Sequence, residues 1–241
     1  MLSQYGQCQY INYDILKYGQ CQYEKEVCVM EQEGNRPYHH GDLRRALLDA
    51  ALQLVEERGI PDFTLREVAR KAGVSHNAPY NHFADKAEIV AALTIEGFQK
   101  LELAMRLAYE QTAGTPVERT LAISNVYLRF ALENPAAFSL MFRPELRQSS
   151  HDGRECDEAV KSAADAAVQV LLDGISASQQ AGEFRAELSM DMLALALSST
   201  MHGLTVMLLD GLLVEKKALS EEAEQLMTQV MHAVAQGLVV P

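Results

Sequence analysis

Apolar residues recur at intervals of three and four along most of the chain, a spacing that predicts amphipathic helices. The first such segment ends before Gly59 and Pro61, and Asp42 is placed to cap its start. The sequence "TLRE" at 64–67 is a capping box that opens a second, short helix, which Gly73 ends. Nowhere does the period-two alternation of a strand develop, so the sequence predicts an all-α protein.

Two more helices are predicted directly downstream. Ser75 is a candidate N-cap for a third helix of about two turns that reaches Phe83. Pro79 would then delete the first intrahelical hydrogen bond, so the alternative is a start near Asn77, with Pro79 in the first turn. Asp85 caps a fourth helix of about 25 residues, or about 38 Å.

Five further helices are predicted in the remainder of the chain. Their expected positions are about 116–133, a helix opened by Pro135 and closed by Pro144, about 154–181, about 189–213 and about 220–237. The polar stretch "RQSSHDG" at 147–153 is predicted to be a loop. The last two helices are apolar on more than one face, which predicts burial on two sides.

The N-terminal segment 1–34 differs from the rest. "YGQCQY" occurs twice in it, at 5–10 and 18–23, and no helical or strand period develops. We therefore predict a disordered extension, and hypothesise that Met30 is the true start. Its three cysteines do not have the spacing of zinc ligands, so no metal is expected.

The charge distribution divides the chain in three. The formal net charge of −12 argues against a nucleic-acid partner at first sight. Segment 35–86, however, carries eight basic and seven acidic residues and four of the seven histidines, whereas 87–241 carries eleven basic and twenty-one acidic residues. We take 35–86 and 87–241 as separate domains; the first is the least negative part of the chain, and a DNA site in it would need locally placed charges.

A helix, a tight glycine turn and a short polar helix make a helix-turn-helix arrangement. We expect Val74, Phe83 and part of Tyr80 to hold the third helix against the first two. The side chains then left facing a major groove are those of His76, Asn77, Ala78 and Asn81. A solvated surface helix of a helical bundle remains the alternative interpretation.

The chemistry of this segment suits DNA. Asparagine bonds adenine edges, histidine can donate to guanine acceptors, and an alanine methyl suits the thymine methyl. Thr64 and Lys86 offer a hydroxyl and a cation to phosphates near helix N-termini, and the "RPYHHGD" arm at 36–42 can lie along the backbone.

The stretch "YHHGDLRRALLDAALQLVEERGIPDFTLREVARKAGVSHNAPYNHFADKAEIVAAL" resembles the DNA-binding domain of the tetracycline-repressor (TetR) family of bacterial transcriptional regulators. The matching features are "TLREVARKAGVS", then Tyr80, His82-Phe83 and Lys86. Carried over by position, the resemblance implies DNA contacts from Thr64, Arg66, Ser75, His76, Asn77, Ala78, Tyr80, Asn81, His82 and Lys86. His82 is equally well explained as a packing residue.

The C-terminal two thirds resembles the family more loosely. "YLRFALENPAAFSLMFRPEL" at 127–146 and "MHGLTVMLLDG" at 201–211 are similar to a subgroup with a Trp shortly before His-Gly, but this chain contains no Trp. The family implies a homodimer through the last two helices on a palindromic operator. It also implies a cavity for a small, apolar effector, for which the candidate residues are Phe98, Met105, Tyr127, Phe130, Phe138, Met141, Phe142, Leu171, Ile175, Met201 and His202. Plain core packing is the alternative for each of them.

Other classes of protein are poorly matched. No nucleophile elbow, P-loop, dinucleotide fingerprint or HExxH motif is present, and His151 with Cys156 makes a poor catalytic pair, so we expect no enzyme and no cofactor. Polar residues interrupt the apolar segment 192–214, and the N-terminus lacks a signal-peptide layout. Together with the resemblance to the TetR family, this predicts a cytoplasmic, ligand-responsive repressor, with an activator or an effector-independent regulator of the same fold as the alternative.

Overall fold

The computed structural model describes residues 40–143, 154–211 and 221–239. Within these ranges the chain forms α-helices joined by short turns, and the sole β pairing described is the isolated bridge between Phe184 and Val239. This confirms the all-α fold. The helices are α1 (His40–Arg58), α2 (Leu65–Lys71), α3 (Lys86–Gln111), α4 (Pro116–Glu133), α5 (Pro135–Met141), α6 (Arg154–Gln180), α7 (Met190–Leu209) and α8 (Glu221–Leu238), with a 3₁₀ helix at Ala78–Asn81.

Local capping signals place the helix starts. Thr64 accepts a hydrogen bond from the Glu67 amide at 3.2 Å, and its own amide donates to the Glu67 carboxylate at 2.9 Å, which confirms the predicted capping box. Asp85 caps α3 by accepting from the Glu88 amide at 3.0 Å, also as predicted. α1 begins at His40, so the predicted cap position at Asp42 lies inside the helix rather than before it.

The predicted ends of α1 and α2 are confirmed, whereas those of α5 and α7 are not. α1 ends where Gly59 adopts a φ of 73°, and α2 ends before Gly73 at 70°, both left-handed conformations that favour glycine. α5 stops at Met141 rather than near Pro144, and α7 stops at Leu209 rather than at 213. The predicted N-terminal extension, the loop at 147–153 and Pro144 lie outside the described residues.

α3 belongs to two hydrophobic cores. Its first turns contribute Ile89, Val90 and Leu93 to the core formed with α1 and α2. Its later turns contribute Phe98 and Leu101 to the larger core formed with α4 to α8. At 26 residues α3 is about 39 Å long, so a rigid element connects the two cores. The domain limits at 34 and 86 stay predictions, although the first core extends beyond residue 86.

Candidate functional site

The helix-turn-helix is built from α2, a turn and the 3₁₀ helix. The positive φ of Gly73 reverses the chain, and the Val74 amide then donates to the Ala69 carbonyl at 2.9 Å. Val74 is half-buried against the first core, as its predicted role requires. The turn therefore fixes where the polar segment begins.

The third helix differs from the two-turn helix expected from Ser75. It is a 3₁₀ helix of four residues with Asn77 at the N-cap and Pro79 in its first turn, which confirms the alternative start near Asn77. Proline lacks the amide hydrogen that a longer helix from Ser75 would use there, so the segment starts later. The amides of His82 and Phe83 both donate to the Pro79 carbonyl at 2.9 Å and close the segment.

The anchors of this segment also differ from the prediction. Phe83 is 2% exposed and packs in the first core, with the Arg44 guanidinium 5.2 Å from its ring centroid. Tyr80, expected to be partly buried, is 52% exposed, whereas Pro79 is buried. Successive residues of a 3₁₀ helix are rotated by about 120°, and with Pro79 buried and Ala78 half-buried against the first core, Tyr80 is turned toward solvent. Sequence reasoning treated Pro79 as a backbone problem and missed its packing role.

The predicted base-reading residues are mostly exposed. Ser75, His76, Asn77 and Asn81 face solvent, and the side chains of the last three have no hydrogen bond to any residue in the described ranges. Ala78 is half-buried against the first core, which leaves less of its methyl group for a thymine contact than predicted. His82 is also half-buried, as its alternative packing role requires.

The predicted phosphate contacts are in more varied environments. The Thr64 hydroxyl donates to the Glu67 carboxylate at 3.0 Å, so its proton is engaged in the capping box. Lys86 lies at the start of α3, where its ammonium group donates to the Pro61 carbonyl at 3.3 Å. Hydrogen bonds from Arg58 and from Thr64 lower the pKa of the Glu67 carboxyl to about 2, so this carboxylate stays charged.

Arg66 is exposed on α2, and Arg70, one turn later, shares its face. Neither forms an ion pair with another described residue, whereas the Lys71 ammonium pairs with Glu57 at 2.6 Å. Sequence reasoning missed Arg70, although its spacing of four from Arg66 gave the signal. The side chains of the 36–42 arm lie outside the described residues.

The candidate effector residues lie in or against the second core. All are buried except Phe142, which is 38% exposed, and His202, which is half-buried. The structure brings five of their rings together, in a group that we call the aromatic cluster: Phe98, Tyr127, Phe138, Phe142 and His202. The Tyr127 hydroxyl lies 2.8 Å from Nδ1 of His202.

Two surface cavities, of about 370 and 390 Å³, lie away from the aromatic cluster, along the contact between α3 and α6. Ile95, Gln99 and Ala159 line both, and none of the candidate effector residues lines either. The effector-site prediction therefore stays a prediction. His151 and the side chain of Cys156 lie outside the part of the chain that the structure describes.

The last two helices differ in their outer surfaces. α7 is long and apolar enough to span a membrane by length and composition alone, and one of its sides packs in the second core. Beyond its first two residues, the exposed Met190 and Asp191, its exposed residues form a second, uncharged face at helical spacing, which we call the α7 stripe: Met192, Leu195, Ser199, Gly203 and Met207. The outer face of α8 is instead polar, with Gln225, Gln229, His232 and Gln236. Only α7 therefore has the second apolar face predicted for both helices.

Comparison with known proteins agrees with this architecture. Residues 47–93 match the family model of bacterial regulatory proteins of the TetR family, and residues 120–234 match the tetracyclin repressor-like C-terminal domain. Together the two matches cover about two thirds of the chain. The Trp-His-Gly subgroup stays a prediction.

Solved structures show the same fold. A protein of unknown function from a Rhodococcus species is 29% identical, covers 86% of this chain and 100% of its own, and superposes with a TM-score of 0.72. The TetR family transcriptional regulator PfmR from Thermus thermophilus is 20% identical over 79% of this chain and 97% of its own, with a TM-score of 0.63. FadR from Bacillus subtilis, solved in complex with stearoyl-CoA, is 18% identical over 81% of this chain and 99% of its own, with a TM-score of 0.64. Because the N-terminal match contains the helix-turn-helix and the C-terminal match follows it, the chain belongs to the TetR family of bacterial transcriptional regulators.

Proposed function

We propose that this regulator is a homodimeric repressor that binds a palindromic operator and is released by a small, apolar effector. The DNA-binding part of this proposal rests on the segment 76–83 around the 3₁₀ helix. There, Pro79 and Phe83 are buried, and His76, Asn77 and Asn81 face solvent. A protein acting on the bacterial chromosome in this way works in the cytoplasm.

Base reading falls to the exposed amide and imidazole groups. Asn77 and Asn81 present both a donor and an acceptor, which matches the major-groove edge of adenine, and His76 can donate to guanine. Arg66, Arg70 and Lys86 supply cations for phosphates, which set affinity and register rather than sequence preference. Local charge is needed because the whole chain, at −12, gives no long-range attraction to DNA.

The α7 stripe supports the homodimer. It carries three large apolar side chains, with Asp191 as the single exposed charge at its N-terminal end, and monomeric proteins rarely leave such a face in water. In a two-fold dimer the stripe meets its own copy, so small residues such as Gly203 let the helices approach closely. Such a dimer sets two recognition segments about 34 Å apart on an operator with matching symmetry.

The long α3 helix supplies a physical route for regulation. It packs with the DNA-binding helices at one end and contributes Phe98 to the aromatic cluster further along. A small rotation of a rigid helix moves the recognition segment by several ångströms. A coupling free energy of about 1–3 kcal/mol then changes DNA affinity about 5–150-fold. FadR, of the same fold, was solved with stearoyl-CoA, which supports an effector with a large apolar part.

The experiment is a mobility shift with the DNA that flanks the gene for this protein. We expect a discrete complex at low salt, retained against random competitor DNA, with a two-fold symmetric footprint. The variant Asn81→Ala should lose only specific binding. The control variant Gln229→Ala, on the distant outer face of α8, should keep it. If no promoter fragment shifts at low salt, the proposal is wrong. Transcription that rises on binding would instead establish an activator.

A further inference from the structure

A hydrogen-bonded polar pair lies inside the larger, apolar core. Tyr127 on α4 is buried, and its hydroxyl is 2.8 Å from Nδ1 of His202 on α7. The rings around the pair are apolar: Phe98, Phe138 and Phe142. Packing alone does not require this arrangement, because two apolar residues of similar volume would fill the space without desolvating polar groups.

The direction of the hydrogen bond follows from burial. Burial raises the pKa of the Tyr127 hydroxyl above its usual range and lowers the pKa of His202, so the phenol stays protonated and the neutral imidazole is favoured. A buried hydroxyl needs an acceptor, and among the described residues Nδ1 of His202 lies within hydrogen-bond distance of it. Tyr127 therefore donates to Nδ1, which leaves the imidazole proton on Nε2.

The Nε2 edge has no hydrogen-bond partner within the described ranges. It also does not appear among the buried polar atoms sealed from solvent. The ring centroid of Phe142 lies 4.5 Å from that of His202, and Phe142, at 38% exposure, is the most exposed phenylalanine of the cluster. Phe142 is therefore the side chain whose displacement would open a path from solvent to the imidazole, with the buried Tyr127 left in place.

We infer that the aromatic cluster is a ligand site in which the Nε2 hydrogen of His202 donates to an uncharged acceptor oxygen, such as a carbonyl, on an apolar molecule. This assignment rests on the proposed effector regulation and specifies the polar group that the effector carries. A carboxylate is disfavoured because the cluster residues include no cation to neutralise it. Tyr127 is a positioning residue, since it fixes which nitrogen carries the proton.

The binding test uses three probes of one shape: 2-acetylnaphthalene, 2-ethylnaphthalene and 2-naphthoate, titrated calorimetrically into the full chain. We expect the ketone to bind about 2- to 12-fold more tightly than the hydrocarbon, the gain from one net hydrogen bond. The carboxylate should bind most weakly. His202→Phe should remove the ketone preference and keep hydrocarbon affinity, whereas His202→Gln, which retains a donor, should restore part of the preference.

A second measurement needs no ligand. Nitrogen-15 NMR of the histidine rings should show His202 protonated at Nε2 and unprotonated at Nδ1 at neutral pH. In Tyr127→Phe that single tautomer should give way to a mixture, because Nδ1 loses its donor. His232, exposed on α8, is the internal reference for an imidazole in water.

Several results would overturn the assignment. These are equal affinity for ketone and hydrocarbon, a ketone preference that survives in His202→Phe, no measurable binding of any probe, or the opposite tautomer. Mobility shifts with wild type and His202→Phe separate this inference from the proposed function. If the chain prefers the ketone yet binds no DNA, the proposed repressor is refuted and the ligand site is supported. If it binds DNA but shows no ketone preference, the ligand site is refuted and the proposed repressor is supported.

Discussion

Leu195 gives the sharpest test of how two chains associate. Its side chain is 68% exposed at the middle of the α7 stripe, between Met192 and Ser199. Leu195→Gln keeps the length and helix propensity of the side chain while replacing its apolar end with an amide. Because the residue contributes little to the core of one chain, the fold should tolerate the change. Leu103→Gln on α3, where the leucine is 55% exposed outside the stripe, is the matched control.

The magnitude follows from the exposed fraction. Complete burial of a leucine side chain contributes about 1.5–3 kcal/mol, and roughly two thirds of that surface is still in water in the single chain. A two-fold interface contains two copies of Leu195, so the variant should weaken the dimer by about 2–4 kcal/mol. This corresponds to an increase of about 30- to 700-fold in the dimer dissociation constant.

Sedimentation equilibrium over a range of protein concentrations measures that constant. Leu195→Gln should dissociate at concentrations where wild type and Leu103→Gln remain dimeric, and its operator affinity should become dependent on protein concentration. Circular dichroism should show the same helix content in all three chains. If Leu195→Gln dimerises as tightly as Leu103→Gln, the α7 stripe is not the interface and the reasoning from exposure is refuted.

Three further predictions follow from other parts of the chain. Lys86→Ala should weaken binding to all DNA sequences and reduce the slope of log affinity against log salt concentration by about one unit. His76→Ala should instead cost about 1–3 kcal/mol of binding free energy at one base pair. Equal losses on operator and random DNA for His76→Ala would show that it does not read a base. The Glu67 carboxyl has its pKa lowered to about 2, below the ordinary unfolded value of about 4.3, so its stabilisation is present above that value and is lost as the pH falls toward 2. Urea titrations of Glu67→Gln should therefore show lower stability at pH 7 and a shallower loss between pH 5 and 2, and an unchanged acid profile would contradict the assignment. Gly174→Ala would place a methyl carbon 2.6 Å from a hydroxyl oxygen of α4 and should destabilise the fold by about 1–3 kcal/mol, whereas Gly237→Ala meets nothing within 4 Å and should stabilise it by about 0.5–1 kcal/mol; similar urea midpoints for the two would be inconsistent with the helix packing.

The starts of α2, α3 and α4 were predictable because their signals are local. The Thr64 capping box, Asp85 and Pro116 each act on amides within one helical turn, so no distant contact can easily change the outcome. The third helix was harder, since Pro79 allowed two starts and the sequence could not rank them. The burial of Pro79, near the core residue Phe83 along the chain, accompanies the later start. The same choice exposes Tyr80, which the sequence had placed partly inside.

The sequence by itself determined that the chain is all-helical, where α2, α3 and α4 start, and which polar residues occupy the turn of the helix-turn-helix. Those features depend on backbone hydrogen bonds and apolar spacing within a few residues. Only the tertiary structure decided that Tyr127 meets His202, 75 positions along the chain, and that α7 rather than α8 carries an exposed apolar face. The physical reason is that both helices are rich in apolar residues, and the composition of a helix does not show which of its faces is covered. Which of its faces meets the core and which meets solvent depends on where distant helices pack, and this is set by the whole fold.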